Sequence, residues 1–249
     1  MYIVKELSNH NIVIGMWKNI LVYQKADEYE LINKLIIGTY NFSIIELSPN
    51  VIISSQSQKK TLTIHDLNDY NIYQIKNIES NENNNIICKY NNKNEIVFVA
   101  YDKGIQIVSV IKKCLIKKIE LGEIISGLCP MITHLDMGNG KIETVFGLLC
   151  GAKRKIYGEK VNYAYSLLQL GFNLNNQDKG VIDDKDNKEI NYKIISRKDR
   201  IHYYDITNIK NSIFCKNKNT LKIYENEDEQ WIFSIGNEDK IFKIWKINN

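Results

Sequence analysis

The side chains in this sequence best suited to bind another molecule form two clusters of cations. The first cluster stands between two apolar runs, which predicts that it forms the tip of a long hairpin. Cations beside a tyrosine can bind an acidic protein, a phosphate or an RNA backbone. A solvated turn without a ligand is the alternative interpretation. The cluster consists of Lys153, Arg154, Lys155, Tyr157 and Lys160.

The second cluster holds two of the three arginines of the chain. Arg197, Lys198 and Arg200 stand between two short apolar runs, so we expect them in a turn. An arginine can hold a carboxylate or a phosphate through two parallel hydrogen bonds. Surface charges are more often simply solvated, which is the alternative here too.

No residue pattern in the sequence predicts catalysis, a metal site or a cofactor. The four histidines are far apart, and no acid or thiol partner recurs beside them. The five cysteines include no CxxC pair, so buried, reduced thiols are expected. Gly147, Gly151 and Lys153 lack the spacing of a phosphate-binding loop. The acidic segment 183–189 lacks the residue spacing of a calcium-binding loop, and a mobile loop is expected there. We therefore do not expect an enzyme.

The composition is that of an ordinary globular protein. Hydrophobic residues make up 44% of the chain and charged residues 25%. The 33 basic and 29 acidic residues give a net charge of +4 without a basic tail that would bind nucleic acid. There is no leader-like segment and no apolar run long enough to cross a membrane. We expect a single domain spanning residues 1–249, located in the cytoplasm or nucleus.

Short strands are the elements that would position the cations. Apolar runs of Ile, Val, Tyr and Phe alternate with Asn, Asp, Lys and Gly, a pattern typical of strands and turns. One apolar run precedes each pair and, except after Ile247, another follows it, so each unit should contain four antiparallel strands. Five pairs of runs predict antiparallel hairpins, at 12–24, 50–67, 96–110, 192–206 and 231–247.

The hairpins recur at a nearly constant interval. Equivalent positions in the returning strands are 23, 65, 108, 204 and 245, which are 42, 43, 96 and 41 residues apart. Four-stranded repeats of about 40 residues are typical of β-propellers, and the step of 96 fits two irregular units. The sequence therefore predicts an all-β propeller of about six blades, with an expanded, irregular blade at about 111–190.

These hairpins resemble a degenerate WD40 repeat, in which the third strand ends in Trp-Asp and a turn aspartate stands upstream. Trp245 keeps the tryptophan, whereas His65-Asp66 and Tyr204-Asp205 keep the aspartate. Asp102 and Asp239 match the turn aspartate, but no Gly-His dipeptide occurs. The resemblance implies a WD40-like propeller in which His65 packs inside its blade.

The resemblance also implies a function. WD40-like domains are typically non-enzymatic scaffolds or adaptors for protein–protein interactions within larger complexes. The alternative is a phosphate-reading propeller that binds RNA or phosphoinositide through the two cation clusters. No strand is expected after Ile247, so the ring is either incomplete, completed by a partner, or closed by the N-terminal strand 2–7.

Overall fold

The computed structural model consists of strands joined by turns. No helix occurs in the described ranges, which agrees with the abundance of β-branched and aromatic residues. None of these ranges contains a helix that could span a membrane. The described residues are 3–16, 18–25, 28–36, 41–56, 60–79, 87–90, 96–136, 140–156, 162–173, 191–199, 230–235 and 242–247.

The strands form four sheets of four antiparallel strands and one two-stranded sheet, within the ranges given above. In each sheet, strands that are consecutive in the sequence are neighbours, which is the strand order of a propeller blade. The prediction of an all-β fold built from four-stranded antiparallel units is confirmed. The first sheet contains β1 (Ile3–Glu6), β2 (Ile12–Gly15), β3 (Asn19–Lys25) and β4 (Tyr29–Ile36); the second, β5 (Asn41–Ser48), β6 (Val51–Gln56), β7 (Thr61–Asp66) and β8 (Ile72–Lys76); the third, β9 (Ile87–Lys89), β10 (Ile96–Tyr101), β11 (Gly104–Ser109) and β12 (Cys114–Glu120); the fourth, β13 (Ile124–Asp136), β14 (Ile142–Ile156), β15 (Asn162–Asn173) and β16 (Asn191–Asp199); and the last, β17 (Gln230–Ile235) and β18 (Phe242–Ile247).

Four of the five predicted hairpins are antiparallel strand pairs. They are β2–β3, β6–β7, β10–β11 and β17–β18. In β10–β11, Tyr101 pairs with Gly104 across the turn residues Asp102 and Lys103. A Cβ on Gly104 would lie 2.1 Å from the carbonyl oxygen of Ile119, so only glycine fits there.

The prediction for Arg197 and Lys198 was wrong, because both residues lie in a strand and not in a turn. β16 continues through them to Asp199, and it pairs with β15. The long β15 offers backbone partners as far as Ser166, and this pairing overrides the local turn preference of Arg-Lys-Asp. Arg200 and the predicted return strand 201–206 lie outside the described residues, as does the acidic segment 183–189.

The chain divides into two compact units, residues 1–124 and 125–249. In the first unit, consecutive sheets pack face to face, and their first strands β1, β5 and β9 are in contact in that order. Adjacent blades of a propeller pack in this way. One core cluster joins the first two sheets through residues such as Val13, Ile20 and Ile52, and another joins the second and third sheets. The single-domain prediction stays a prediction.

The N-terminal strand belongs to the first sheet. β1 pairs with β2, from Ile3 opposite Gly15 to Glu6 opposite Ile12. The structure therefore shows this strand as the first strand of the first sheet. In the described part of the chain, β17 pairs with β18 alone.

His65 packs inside the second sheet, as predicted. Its side chain is fully buried, and its Nε2 lies 3.0 Å from the Oγ of Ser54 on the neighbouring strand. Its Nδ1 has no hydrogen-bond partner among the described residues. Burial disfavours the charged imidazolium and lowers the pKa of His65 to about 4. The ring is therefore neutral near pH 7.

The fourth sheet contains longer strands than the other three four-stranded sheets and a chain of polar side chains that is buried at Thr133 and Gln169. Gln169 on β15 donates from Nε2 to Thr133 Oγ1 at 2.8 Å, and its Oε1 accepts from Ser196 Oγ at 3.0 Å. This chain links three strands of the sheet, and β14 passes between Thr133 and Gln169. β14 carries Gly147 there, where a Cβ would lie 2.8 Å from Thr133 Cγ2 and 2.9 Å from the carbonyl oxygen of Leu170.

The cysteines follow the prediction only in part. Cys129 and Cys150 form no disulfide and are buried in the fourth sheet, as expected. Cys114 is free but exposed, contrary to the prediction. It begins β12, the last strand of the third sheet, directly after a turn, where few side chains surround it.

Candidate interaction surfaces

The first predicted cation cluster lies at the far end of a long strand pair. Lys153, Arg154 and Lys155 are in β14, opposite Tyr165, Ala164 and Tyr163 of β15. The ladder extends to the pair of Ile156 and Asn162, so the predicted long hairpin is confirmed. Tyr157 and Lys160, at its predicted tip, lie outside the described residues.

The second cluster lies beside the first in the same sheet. Arg197 pairs with Leu168 and Lys198 with Leu167, on the side of β15 opposite to β14. Leu168 pairs in turn with Cys150, three residues before Lys153. At the usual spacings of a sheet, the backbones of Arg197 and Lys153 are about 10 Å apart along the strands and about 10 Å apart across them. The structure thus brings the described parts of both clusters together.

A third surface, which the sequence did not predict, lies where the second and third sheets meet. The ammonium nitrogen of Lys113 lies 3.9 Å from the centre of the Tyr73 ring, a cation–π contact. Lys113 belongs to the β11–β12 turn, and Tyr73 to β8. Tyr73 is exposed, as are Tyr70 at 52% and Ile111 at 67% in the two adjoining turns. We call Tyr70, Tyr73, Ile111, Lys112 and Lys113 the turn patch.

Two residues of the turn patch have an unusual backbone conformation. Tyr70 and Lys113 both lie in a connection between the third and fourth strands of their sheets, Tyr70 two residues before β8 and Lys113 directly before β12. Both have positive φ, 62° for Tyr70 and 53° for Lys113. A bulky side chain is disfavoured in this left-handed region, where glycine and asparagine are common. Both turns therefore carry a side chain at a cost in stability.

The first sheet has an accessible face rich in apolar side chains. Its other face is buried against the second sheet through Val13, Ile20 and Val22. Side chains alternate along each strand, so the residues between these lie on the opposite face. Two cross-strand rows form there, Val4–Ile14–Leu21 and Ile12–Tyr23–Leu31. Val4 at the edge is 65% exposed and Leu31 53%.

A polar cluster surrounds Glu79 at the opposite end of the third sheet from the turn patch. Lys118 donates to a Glu79 carboxylate oxygen, and both side chains are substantially exposed. This hydrogen bond lowers the pKa of Glu79, and the charges of Lys118, Lys60 and Lys103 add to the effect. Nearby, burial raises the pKa of Tyr101, and the charges of Glu120 and Glu79 contribute. The cluster joins the second sheet to the third.

In the described ranges, no group of three His, Cys, Asp or Glu side chains could hold a metal ion. The turn patch and the Glu79 cluster were missed because each is formed by segments about 40 residues apart in the sequence. The one local signal was Asp69-Tyr70-Asn71, a turn in which an aromatic residue stands between two turn formers.

Comparisons with known proteins found similarity among solved structures only. No model of a known protein family matches the chain, and no curated protein shows significant similarity to it. Among solved structures, Hsv2 of Kluyveromyces marxianus aligns with 78% of this chain and 71% of its own, at 13% identity and a TM-score of 0.39. Hsv2 of Kluyveromyces lactis aligns with 98% of this chain and 84% of its own, at 11% identity and a TM-score of 0.41.

Proposed function

We propose that this protein is a WD40-like propeller of the cytoplasm or nucleus that acts as a non-enzymatic scaffold and binds other proteins. The observation that carries the proposal is the accessible face of the first sheet. Large apolar side chains such as Val4, Leu31 and Ile36 are exposed there, Ile36 at 76%. Contiguous exposed apolar surface on a globular protein typically marks an interaction site.

Affinity purification of the tagged full-length chain from its native cells tests this function. We expect a partner protein to co-purify with the unaltered chain in a constant ratio. The double variant Leu31→Ser, Ile36→Ser should retain less of that partner, because it removes apolar area while leaving the buried core intact. His10→Asn, an exposed change in the β1–β2 turn, is the matched control. If the unaltered chain retains no partner, the scaffold function is wrong.

A second function, reading phosphates on RNA or phosphoinositide, is favoured by a specific observation in the fourth sheet. β14 and β16 flank β15, so Lys153, Arg154 and Lys155 share one sheet with Arg197 and Lys198. Several cations near one another can neutralise successive phosphates and release bound counterions. Such binding weakens steeply as salt is raised.

Salt titration distinguishes this second function from the first. The probes are single-stranded RNA and vesicles that contain phosphoinositide. For a phosphate reader, the affinity should fall as salt is raised, and the triple variant Lys153→Glu, Arg154→Glu, Lys155→Glu should abolish binding. Lys141→Glu, an exposed charge change near the other end of β14, is the control. An affinity that does not change with salt would exclude the phosphate reader.

A further inference from the structure

We infer that the turn patch binds a short peptide segment of another protein, one that presents a carboxylate beside a large apolar side chain. This inference rests on the proposed scaffold function and assigns it a second surface, separate from the accessible face of the first sheet. The turn patch contains two tyrosines, an isoleucine and two consecutive lysines, contributed by neighbouring sheets.

The first argument is the backbone at Tyr70. Its φ of 62° is unfavourable for a tyrosine, whereas asparagine would adopt it readily. The preceding turn is well formed without the ring, because Asp66 Oδ1 accepts from the Asn68 N–H at 2.9 Å and Asp69 Oδ1 accepts from the Asn71 N–H at 3.1 Å. The aromatic side chain is therefore not needed for the turn. Strained positions of this kind are concentrated at functional sites.

The second argument is the chemistry of the surface. Tyrosine gives a large contact area at a small entropic cost, and it is enriched at the energetic centres of interfaces. Lys113 already lies over the Tyr73 ring, so its ammonium group is positioned before a ligand arrives. Together with Lys112, it forms a pair of positive charges beside exposed Ile111. A carboxylate with an adjacent apolar side chain complements this arrangement in both charge and polarity.

The same chemistry argues against an anionic membrane as the ligand. Two carboxylates stand close to Tyr70 in the sequence, Asp66 at the end of β7 and the exposed Asp69 in the β7–β8 turn. A flat anionic bilayer that reached Tyr70 and Ile111 together would bring the exposed carboxylate of Asp69, next to Tyr70, to its negative surface. A peptide meets no such restriction, because its acidic group can contact Lys112 and Lys113 alone. The turn patch therefore fits a peptide better than a lipid surface.

The test is selection of a phage-displayed library of random dodecapeptides on the full-length protein. We expect the selected peptides to carry Asp or Glu next to a large apolar residue. Their affinity should fall at least about tenfold with Tyr70→Asn and with Lys113→Glu, the scale of an interface hot spot. His10→Asn is the matched control, because His10 also has positive φ, 67°, in an exposed turn. It should bind as the unaltered protein does.

Thermal unfolding separates lost binding from lost folding. Tyr70→Asn should melt no lower than the unaltered protein, since asparagine tolerates the left-handed conformation. The inference is overturned if no peptide of this pattern is selected, or if selected peptides bind Tyr70→Asn with unchanged affinity. It is also overturned if the patch binds phosphatidylserine vesicles instead, with loss on Ile111→Ser. Failure of the peptide selection while a partner still co-purifies with the unaltered chain would overturn the inference and leave the scaffold function standing.

Discussion

The side-chain amide of Gln106 binds both main-chain polar groups of Glu79. Its Oε1 accepts from the Glu79 N–H at 2.9 Å, and its Nε2 donates to the Glu79 carbonyl oxygen at 2.8 Å. Gln106 is fully buried in β11, and Glu79 follows the last strand of the second sheet. One side chain of the third sheet thus fixes the segment that leads out of the second.

Replacing Gln106 should destabilise the protein, although the residue is polar. Gln106→Met keeps the shape of the side chain but leaves the N–H and carbonyl of Glu79 without these partners. Burying unsatisfied groups costs about 1–3 kcal/mol each, so we expect a loss of about 2–4 kcal/mol in the free energy of unfolding. Urea denaturation of the variant and of the unaltered protein measures this loss. Glu79→Gln, which removes only the exposed ion pair with Lys118, should cost less than about 1 kcal/mol. Equal losses in the two variants would contradict this prediction.

Acid should destabilise the protein through His65. Its pKa is 6.5 when unfolded and about 4 when folded, so the unfolded chain takes up a proton first as the pH falls. The stability from the neutral ring is complete above about pH 6.5, declines below it, and is lost by about pH 4. The shift corresponds to about 3 kcal/mol.

Urea titrations at several pH values measure the effect of His65. In His65→Gln, which carries no titrating ring, the free energy of unfolding should fall between pH 6.5 and 4 by about 3 kcal/mol less than in the unaltered protein. His10→Asn removes another histidine but keeps His65, so the decline between pH 6.5 and 4 should remain in this variant. A His65→Gln variant with the same pH dependence as the unaltered protein would show that His65 does not cause the decline.

Gly147→Ala should destabilise the fourth sheet by steric overlap. The added Cβ would lie 2.8 Å from Thr133 Cγ2 and 2.9 Å from the backbone oxygen of Leu170. Overpacking of this kind typically costs about 1–3 kcal/mol, which thermal denaturation would detect. The double variant Gly147→Ala, Thr133→Ser should recover part of the loss, because serine removes Cγ2 but not the overlap with Leu170. No recovery would show that Thr133 is not the source of the strain, which would then lie at the Leu170 oxygen or at Met131 Cγ, 3.1 Å from the added atom.

Native thiol labelling should distinguish Cys114 from the buried cysteines. An exposed thiol reacts with a disulfide reagent in the folded protein, whereas a buried thiol reacts only after the protein has unfolded. Mass spectrometry of the labelled peptides should therefore find Cys114 modified before Cys129 and Cys150. Cys114→Ser should remove that early modification. Faster labelling of Cys150 than of Cys114 would mean that the fourth sheet opens readily in solution.

Local sequence was sufficient for most strands and hairpins of this fold. The alternation around Asp102-Lys103-Gly104 predicted β10–β11 correctly, because turn residues and strand formers agree there. At Arg197 the local preference of the residues and the strand pairing conflict. The residues favour a turn, but pairing with β15 continues through them, and that pairing depends on a strand about 30 residues earlier. Local patterns carry no information about such a partner.

The candidate sites also combine features that local sequence predicts with features that depend on distant segments. That Lys153, Arg154 and Lys155 lie on a long hairpin follows from the two apolar runs around them. Exposure of Tyr73 does not follow from its strand, because an aromatic residue in an apolar run is normally expected in the core. Its contact with Lys113 depends on the packing of the third sheet against the second.

The left-handed conformation of Tyr70 sets the stability of the fold against the binding proposed for the turn patch. A sequence design procedure that rewards folding energy would replace Tyr70 with asparagine or glycine, and so would laboratory evolution at high temperature. Selection for binding would keep the aromatic ring in spite of its cost. Thermostabilised versions of this protein should therefore be sequenced at position 70 before they are used to search for partners. A substitution there that raises the melting temperature would remove the aromatic side chain of the turn patch.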